Sequence, residues 1–302
     1  MKNTIIIALI LSLSFSIFAG KVDGNSSEYG WQMLKIPVST ASAGLGGNGL
    51  NSVKDGLNFT RYPTTGLLTD TRAVTFSQNY WIFDTVLNNI GVTSSNGKKS
   101  MSFAMKYLDY GTIEAMDENG DSNGEFNPMD LDFVGNMAFR VHPDHYFGAN
   151  LHLLYEKIHT ESSFGFSTDW GYTYLTPLKD LNLNFNLKNL GATTKMKDEN
   201  IDLPLVQELS ATKSLEFNKI KSEIETKIAN IAGDENLKSV TSIQSNLMGL
   251  LDLRFAYKIN YDDTNISTGI GINVNRFKID YSYIPYSNEL DDFHMIGLSY
   301  LF

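Results

Sequence analysis

The chain contains no cysteine and is short of basic residues, and both shortages narrow what it can be. Without cysteine among its 302 residues it has no disulfide framework, no zinc–thiolate site and no cysteine nucleophile. Lys and Arg number 24 against 34 Asp and Glu, which gives a net charge of −10. Nucleic-acid-binding proteins usually carry a basic stripe, so the charge balance argues against nucleic acid as a partner. The 42% content of hydrophobic residues is enough to order the chain.

Long hydrophobic runs are missing after the first twenty residues. Lys2 is followed by the apolar run Ile5–Phe18 and then by the small residues Ala19 and Gly20. This is the pattern of a cleavable export signal, and the run is shorter than the roughly 20 residues of a membrane-spanning helix. We therefore predict a signal peptide at 1–20. An exported chain without helical spans is either a soluble periplasmic protein or a β-barrel.

A period of two is present through most of the remaining sequence. From Leu181 to Leu187 every second residue is apolar, and asparagines occupy the positions between them. Only a β-strand sends such alternate residues to opposite faces. The pattern predicts thirteen strands, at 72–80, 85–94, 100–110, 130–141, 146–158, 164–176, 180–190, 203–217, 219–231, 250–261, 265–275, 276–286 and 292–302.

The predicted strands are long, which favours a membrane barrel over a soluble sandwich. Strands of globular proteins average about 5–6 residues, whereas ten residues tilted near 40° span roughly 25 Å, the apolar height of an outer-membrane barrel. We predict an all-β, antiparallel transmembrane β-barrel of about 14 strands over 71–302. The residues 21–70 are predicted to form an N-terminal segment with a plug or hatch. The fourteenth strand is expected near 29–36 or inside 36–70.

Two stretches have a less regular pattern. In 219–231, Ile220, Ile224 and Ile228 share a face at helical spacing and also at strand spacing. We favour the strand, which turns the charged residues between them towards the lumen. The stretch 232–248 is predicted to be a loop.

Charged residues occupy one face of many predicted strands. An Arg or Lys on the lipid face costs about 2–4 kcal/mol at the membrane midplane, so this face is expected to line the lumen. The lumen-facing candidates are Asp132, Arg140, Asp169, Lys188, Arg254, Lys258, Lys278 and Asp280.

The last residues of the chain alternate strictly and end on an aromatic side chain. Ile296, Leu298, Tyr300 and Phe302 are apolar at every second position. This resembles the C-terminal signal that the barrel-assembly machinery recognises as a last strand. The assembly machinery and the lipids of the bacterial outer membrane are therefore expected partners.

A glycine-rich run near the N-terminus has the letters of a dinucleotide-binding motif. Gly44, Gly46 and Gly49 have the spacing of G-x-G-x-x-G, but no βαβ unit surrounds them. We interpret the run as a place where backbone packs closely inside a hatch. The predicted hatch residues are Gly44, Gly46, Gly47 and Pro63.

Other motifs point to no chemistry. Asn119, Asp121 and Asn123 imitate part of an EF-hand loop, but flanking helices and the final Glu are absent. The five histidines form no local set of three metal ligands. Hydrolase and P-loop motifs are not found. We expect no catalytic residue, no metal and no cofactor, and thus a protein that is not an enzyme.

Four blocks of sequence, in order, resemble the PorV/PorQ family of outer-membrane barrels, which are FadL-like. They are Ile36–Leu67 with its Gly44-Leu-Gly-Gly47 turn, Tyr110–Leu131, Leu154–Gly191 and Ile279–Phe302. The chain departs from the family pattern in its first block, where no Arg precedes the glycine turn and Thr64 follows Pro63. The resemblance implies a fourteen-stranded barrel with a plug.

The resemblance leaves three functions open. The first is binding or transport of a hydrophobic or amphipathic small molecule across the outer membrane. The second is a non-enzymatic adaptor or shuttle of a type IX protein secretion pathway, which engages exported cargo proteins through the loops 111–129 and 232–248. The third is a structural or surface barrel with a closed lumen.

Overall fold

The computed structural model describes residues 29–302 except 82–84, 118, 200, 263 and 288–290. The predicted signal peptide at 1–20 lies outside the described residues. The N-terminal segment begins with a 3₁₀ turn, Gln32–Lys35, and contains helix α1 (Thr40–Ala43), a second 3₁₀ turn (Asn58–Thr60) and helix α2 (Thr65–Leu68). None of the described helices is long or apolar enough to cross a bilayer.

Most of the described chain forms one closed antiparallel barrel of fourteen strands, which confirms the predicted all-β barrel and its number of strands. The barrel closes where β1 pairs with β16, with Val74 opposite Tyr300. A separate two-stranded sheet is made by β4 and β5. The strands are β1 (Arg72–Tyr80), β2 (Val86–Ser95), β3 (Lys99–Asp109), β4 (Ile113–Met116), β5 (Ser122–Phe126), β6 (Met129–His142), β7 (His145–Ile158), β8 (Glu161–Leu175), β9 (Leu181–Thr193), β10 (Val206–Phe217), β11 (Ile220–Ile231), β12 (Lys238–Leu247), β13 (Leu251–Ile259), β14 (Ile266–Val274), β15 (Phe277–Ile284) and β16 (Phe293–Leu301).

The fourteenth barrel strand is β12, so the prediction of a loop over 232–248 was wrong. In this strand the polar Thr241 points outwards and the apolar Val240 is buried on the inner face. This is the reverse of the pattern of the other strands, in which apolar residues point outwards. The expectation of a strand between 29 and 70 was also wrong. Among the described residues there, the only extended pairing is an isolated bridge from Tyr29 to Asp202. Segment 219–231 forms a strand, as favoured.

Alternate residues of each barrel strand point outwards and form an apolar belt. Such a belt is the surface that an outer-membrane barrel presents to lipid. One outward side chain from each strand, all between about a third and three-fifths exposed, illustrates it: Phe76, Ile90, Phe103, Phe133, Leu153, Phe166, Leu183, Leu209, Ile224, Ile243, Phe255, Ile270, Ile279 and Leu298.

The two ends of the barrel differ in the length of their connections. At one end, β6 joins β7 and β10 joins β11 by two-residue turns. At the other end, the connection from β3 to β6 contains the whole β4–β5 hairpin. In outer-membrane barrels the short turns are periplasmic and the long loops extracellular. We call these the lower and the upper end.

The N-terminal segment, Tyr29–Thr71, packs against the inner face of the barrel. Its backbone touches the wall where strands carry inward-facing glycines, as at Gly91 and Gly148. A Cβ atom on Gly91 would lie 2.5 Å from the carbonyl oxygen of Gly56, and one on Gly148 would collide with the carbonyl oxygen of Pro63. Glycines of three further strands also approach the segment: Gly269 faces the backbone of Gly44, while Gly171 and Gly297 face the side chains of Pro63 and Thr40.

Candidate binding site

A cavity of about 240 Å³ lies at the upper end, between the N-terminal segment and the barrel wall. Much of its lining is apolar. The segment contributes Leu34, Ile36 and Val38, while the strands contribute side chains that include Val206 and Ile231. This arrangement suits a small apolar group, because ligand cavities are concave and mostly apolar with a few placed polar groups.

The charged groups that line the cavity are mainly basic. Arg61 of the segment forms a salt bridge with Glu208, the one carboxylate among the described lining residues. The ammonium of Lys106 lies 2.7 Å from Asp132. Both of these cations therefore have a carboxylate partner. Three more lysines line the cavity: Lys35, which is exposed, and Lys188 and Lys258, which are buried.

The ammonium groups of Lys188 and Lys258 have no carboxylate within salt-bridge distance in the described part of the chain. Both side chains are more than nine-tenths buried. The Lys258 ammonium donates to the Thr264 hydroxyl at 3.0 Å and lies 5.6 Å from the centre of the Tyr261 ring. Burial raises the pKa of the Tyr261 phenol to about 12, so that ring stays neutral beside the lysine. Both lysines line the cavity without a carboxylate partner among the described residues.

The glycine turn of the segment is held by two basic side chains, one from the segment itself and one from β11. The carbonyl oxygen of Gly47 accepts hydrogen bonds from Arg61 Nε at 2.8 Å and from Lys227 Nζ at 2.9 Å. Gly46 and Gly47 have φ angles of 64° and 85°, which are left-handed conformations that favour glycine. The turn therefore depends both on its own sequence and on basic side chains around it.

The residues after this turn are bound by one carboxylate. Glu225 accepts backbone N–H groups of Gly49 at 2.9 Å and Leu50 at 3.0 Å through one oxygen, and the Tyr62 hydroxyl through the other. Burial and the charge of Glu225 raise the pKa of the Tyr62 phenol well above its usual value. Asn48 adds a hydrogen bond of 3.0 Å to the hydroxyl of Ser242. Strands β11 and β12 thus fix the middle of the segment.

A second cavity, of about 550 Å³, opens at the lower end, and most of the residues that line it are polar. The segment contributes Asn51, Ser52 and Lys54 to it, and the strands contribute acids and amides that include Glu223 and Gln244. The upper and lower cavities share no lining residue. The part of the segment between them, around Asn48 to Leu50, is the part that β11 and β12 bind.

Two of the predicted lumen-facing acids meet at a histidine. Asp132 and Asp169 are buried on the inner face, and each lies 3.0 Å from one ring nitrogen of His152. A neutral imidazole has one N–H donor and cannot donate to both, so this geometry requires the imidazolium form. With Lys106 on Asp132, the cluster contains two cations and two anions.

Three other predicted lumen-facing residues gather at the lower end. Arg254 lies 2.8 Å from Asp280 and 3.1 Å from Asp252, and Lys278 lies 3.3 Å from Asp252. All four are buried on inner faces. The prediction that Arg140 lines the lumen was wrong: its side chain, near the lower end of β6, is exposed and donates to the carbonyl of Pro143 at 2.7 Å.

The remaining predicted residues occupy two regions. Gly44 and Pro63 lie in the segment against the wall, where a Cβ on Gly44 would come within 3.0 Å of Gly269. The C-terminal residues are exposed on the outside of the barrel: Ile296, Leu298, Tyr300 and Phe302.

Sequence reasoning missed several residues of the upper cavity. Lys106 and Glu208 occupy positions of predicted strands whose side chains point into the barrel, so the alternating pattern together with their charge predicts that they face the lumen. Arg61 and Trp81 lie outside the alternating pattern and give no such indication. In the described residues, no three His, Asp or Glu side chains are grouped to hold a metal.

The EF-hand-like stretch is a hydrogen-bonded turn between β4 and β5. One carboxylate oxygen of Asp117 accepts the backbone N–H groups of Asp121 at 3.0 Å and Asn119 at 2.8 Å. These hydrogen bonds lower the pKa of Asp117. The carboxylate is therefore engaged in shaping the turn.

No family model and no curated protein matches the chain. Solved structures do resemble it. They include the toluene transporter TodX of Pseudomonas putida (11% identity, 86% of this chain, 97% of that chain, TM-score 0.52). The TodX ΔS2S3 mutant, described as a monoaromatic hydrocarbon channel, is 10% identical over 87% of this chain and 98% of that chain, with a TM-score of 0.57. A FadL homologue of Pseudomonas aeruginosa is 10% identical over 88% of this chain and 98% of that chain, with a TM-score of 0.52. These comparisons lend no support to the PorV/PorQ resemblance, and at such low identity they show one thing, that the chain has the fold of the FadL-like outer-membrane barrels.

Proposed function

We propose that this protein is a non-enzymatic outer-membrane barrel that binds hydrophobic small molecules in its upper cavity and transports them. The observation that carries the proposal is the apolar-walled cavity of about 240 Å³ enclosed by the N-terminal segment and the barrel. The solved structures with this fold include a toluene transporter and a monoaromatic hydrocarbon channel, which supports the same class of ligand. Export by the predicted signal peptide and insertion in the outer membrane are parts of this proposal.

In this proposal the N-terminal segment is the plug. Contacts with glycines of five strands, together with the hydrogen bonds to Glu225 and Lys227, support that role. A molecule that leaves the upper cavity for the lower one must displace the residues around Asn48 to Leu50. Transport then requires a local movement of the plug, while the barrel stays closed.

Filling the cavity tests the binding function. Ala229 is buried and lines the cavity, so Ala229→Phe adds a phenyl ring there. An apolar cavity of about 150 Å³ holds one benzene, so the new ring takes up more than half of the available space. We expect at least a tenfold loss of affinity for the fluorescent apolar probe N-phenyl-1-naphthylamine, measured with purified protein in detergent. Ala192→Phe, on an exposed part of β9, is the matched control and should bind normally.

Two results would contradict the binding function. One is wild-type protein that gives no saturable probe binding above empty micelles. The other is equal binding by the wild type and by Ala229→Phe, with the same barrel content by circular dichroism.

The adaptor function is the second candidate, and the β4–β5 hairpin favours it. The hairpin stands outside the barrel sheet at the upper end, where Ile113 is 42% and Met116 65% exposed. Mass spectrometry of material that co-purifies from outer membrane in mild detergent separates the candidates. Stoichiometric exported proteins that disappear when 111–128 is deleted would support the adaptor. An apolar molecule without partner proteins would support transport, and neither would indicate a closed structural barrel.

A further inference from the structure

The net charge of −10 is unevenly divided between the two ends of the barrel. Among the described residues, the connections of the upper end contain twelve Asp and Glu but only two basic residues, Lys195 and Lys197. The turns of the lower end contain four basic residues and two acidic ones. The lower end is therefore positive, although the chain as a whole is strongly negative.

Four cations of the lower end follow one another around the seam of the barrel. We call them the basic arc: Arg276, Arg72, Lys98 and Lys99. The backbone carbonyl of Arg276 accepts the N–H of Leu301 at 2.7 Å, and that of Arg72 accepts the N–H of the next residue, Phe302, at 3.0 Å. Arg72 Nε also donates to the carbonyl of Ser95 at 2.8 Å. Ser95 ends β2 and precedes the turn that leads to the two lysines, so the four cations lie on neighbouring strands and turns.

The charges of the basic arc are not matched within the protein. All four side chains are exposed, and in the part of the chain that the structure describes none of them lies within salt-bridge distance of a carboxylate. The anions closest to the arc along the chain are Asp70 and the terminal carboxylate of Phe302, so the arc as a whole remains positive. Like charges grouped in this way produce a field that attracts anions.

The outer face of the barrel fixes the height of the basic arc relative to the membrane. A guanidinium nitrogen of Arg276 donates to the hydroxyl of Tyr300 at 3.3 Å, and the ring of Tyr300 lies 5.2 Å from that of Phe277. Both rings point outwards near the lower end, where aromatic side chains of outer-membrane barrels meet the lipid headgroups. Arg72 shares the outer face of β1 with Val74, two residues further along. The arc therefore lies at the level of the headgroups.

We propose that the basic arc binds the headgroups of anionic phospholipids in the inner leaflet of the outer membrane, while their acyl chains lie on the apolar outer face above it. The charge of the arc requires an anion. Its height, next to outward-facing aromatic rings, favours a lipid over a soluble anion of the periplasm. The inference rests on membrane insertion, which is part of the proposed function, and it is independent of transport. The acidic upper end should repel the same headgroups.

The lack of cysteine allows one fluorescent label to be placed at a chosen end of the barrel. Ser94→Cys places it on the outer face of β2 near the lower end, where residue 94 pairs with Arg72. Ser162→Cys places it on the outer face of β8 near the upper end, where residue 162 pairs with Lys157. Both serines are exposed, so the two labels report on the lipid beside each end.

A matched pair of lipids tests the charge. The labelled full-length protein is reconstituted in phosphatidylcholine vesicles that contain a small fraction of nitroxide-labelled phosphatidylglycerol or, in parallel, of phosphatidylcholine with the same nitroxide near the headgroup end of an acyl chain. The ratio of the two quenching efficiencies gives the local preference for the anionic lipid. At position 94 we expect a preference of at least about threefold, which salt near 1 M should largely abolish. At position 162 we expect no preference for phosphatidylglycerol.

A charge-removing variant assigns the preference to the basic arc. Lys98→Gln/Lys99→Gln/Arg276→Gln removes three exposed cations and should lower the preference at position 94 to less than about 1.5-fold. Arg72 is kept, because its hydrogen bond to Ser95 holds the turn between β2 and β3. If this variant does not fold, the difference between positions 94 and 162 in the protein with its natural charges still decides the proposal.

The matched control removes the same charge from the upper end. Its three lysines are also exposed, and the variant is Lys157→Gln/Lys195→Gln/Lys197→Gln. The preference at position 94 should stay at its original value in this control. An equal loss in both variants would show that the preference follows the net charge of the whole protein, and it would overturn the assignment to the basic arc.

Failure of this inference is distinguishable from failure of the proposed function. Equal quenching by the two lipids at position 94 would overturn lipid binding by the basic arc, while the protein would still be shown to insert in the bilayer. A preference that survives in the glutamine variant of the arc would overturn the assignment to these residues. Absence of quenching by either lipid at both positions would overturn membrane insertion and this inference together. Probe binding in the upper cavity is measured separately in detergent and is affected by none of these results.

Discussion

Glu225 is the residue whose loss should most weaken the hold of the barrel on the N-terminal segment. Its carboxylate accepts the backbone N–H groups of Gly49 and Leu50 at 2.9 and 3.0 Å and the hydroxyl of Tyr62. Glu225→Gln keeps the volume but replaces one oxygen by an amide that cannot accept. One or two hydrogen bonds to a charged group are lost, each of about 1.5–3 kcal/mol. We expect the segment to open more easily by about 3 kcal/mol.

Hydrogen exchange measures this opening directly. An opening free energy that falls by about 3 kcal/mol corresponds to exchange that is roughly 100-fold faster, since each 1.4 kcal/mol is a factor of ten. The effect should be confined to peptides that cover 45–53, while the barrel strands keep their protection. Mass spectrometry of exchange in detergent micelles resolves these peptides.

The matched control is Glu216→Gln, at an exposed position of β10. Glu216 lies 3.8 Å from Lys221, with both side chains about two-thirds exposed, and such surface pairs contribute about 0–1 kcal/mol. Exchange in 45–53 should be unchanged in this variant. Unchanged exchange in Glu225→Gln as well would refute the reasoning, because the segment would then be held by its glycine contacts alone.

Three further predictions concern packing, pH and lipid contact. Gly148→Ala should lower the unfolding free energy by about 1–3 kcal/mol in denaturant titrations, because the new Cβ collides with the backbone of the segment. Gly135→Ala should be tolerated, because the nearest atom to its Cβ is 3.9 Å away. The lowered pKa of Asp117 means that its ionised carboxylate stabilises the turn above the ordinary carboxyl pKa near 4, and that this contribution is lost as the pH falls through the lower, folded-state pKa. Amide exchange in the β4–β5 hairpin should therefore accelerate in acid in the wild type. Asp117→Asn should show no such pH dependence. Ile243→Lys on the outer face of β12 should destabilise the barrel in lipid vesicles by about 2–4 kcal/mol if residue 243 lies near the membrane midplane. The control Ser239→Lys, near the upper end of the same strand, should cost about 0–1 kcal/mol. Equal effects of the two substitutions would contradict the assignment of that face to lipid.

The barrel was predictable from sequence wherever lipid contact imposes alternation. Leu181 to Leu187 is such a stretch, because every outward position there is apolar and every inward one polar. Strand β12 escaped because its outward Thr241 and Thr226 of the neighbouring strand bond to each other at 3.2 Å, so that polar side chains occupy the outer face. The inward-facing Val240 packs near Gly46 of the N-terminal segment, and an apolar side chain suits this contact.

The candidate site was predictable only in part. Lys188 and Lys258 follow from parity on predicted strands, since charged residues there must avoid lipid. Their lack of partners does not follow, because the pairing of Arg61 with Glu208 joins residues 147 positions apart. Such contacts depend on how a non-repetitive segment lies across many strands. Period-two patterns contain no information on that placement.

The inward-facing glycines have a consequence for the order of folding. The segment precedes every strand in the chain, yet its wall contacts extend from Gly91 to Gly297. Its docking is thus complete only after β16 has been made and paired, which gives contacts of very high sequence separation and a slow final step. Because the wall touches the segment's backbone on several sides, late threading into a finished cylinder is sterically difficult. The barrel is expected to curl around the segment, which then serves as a template for closure at the seam between β1 and β16.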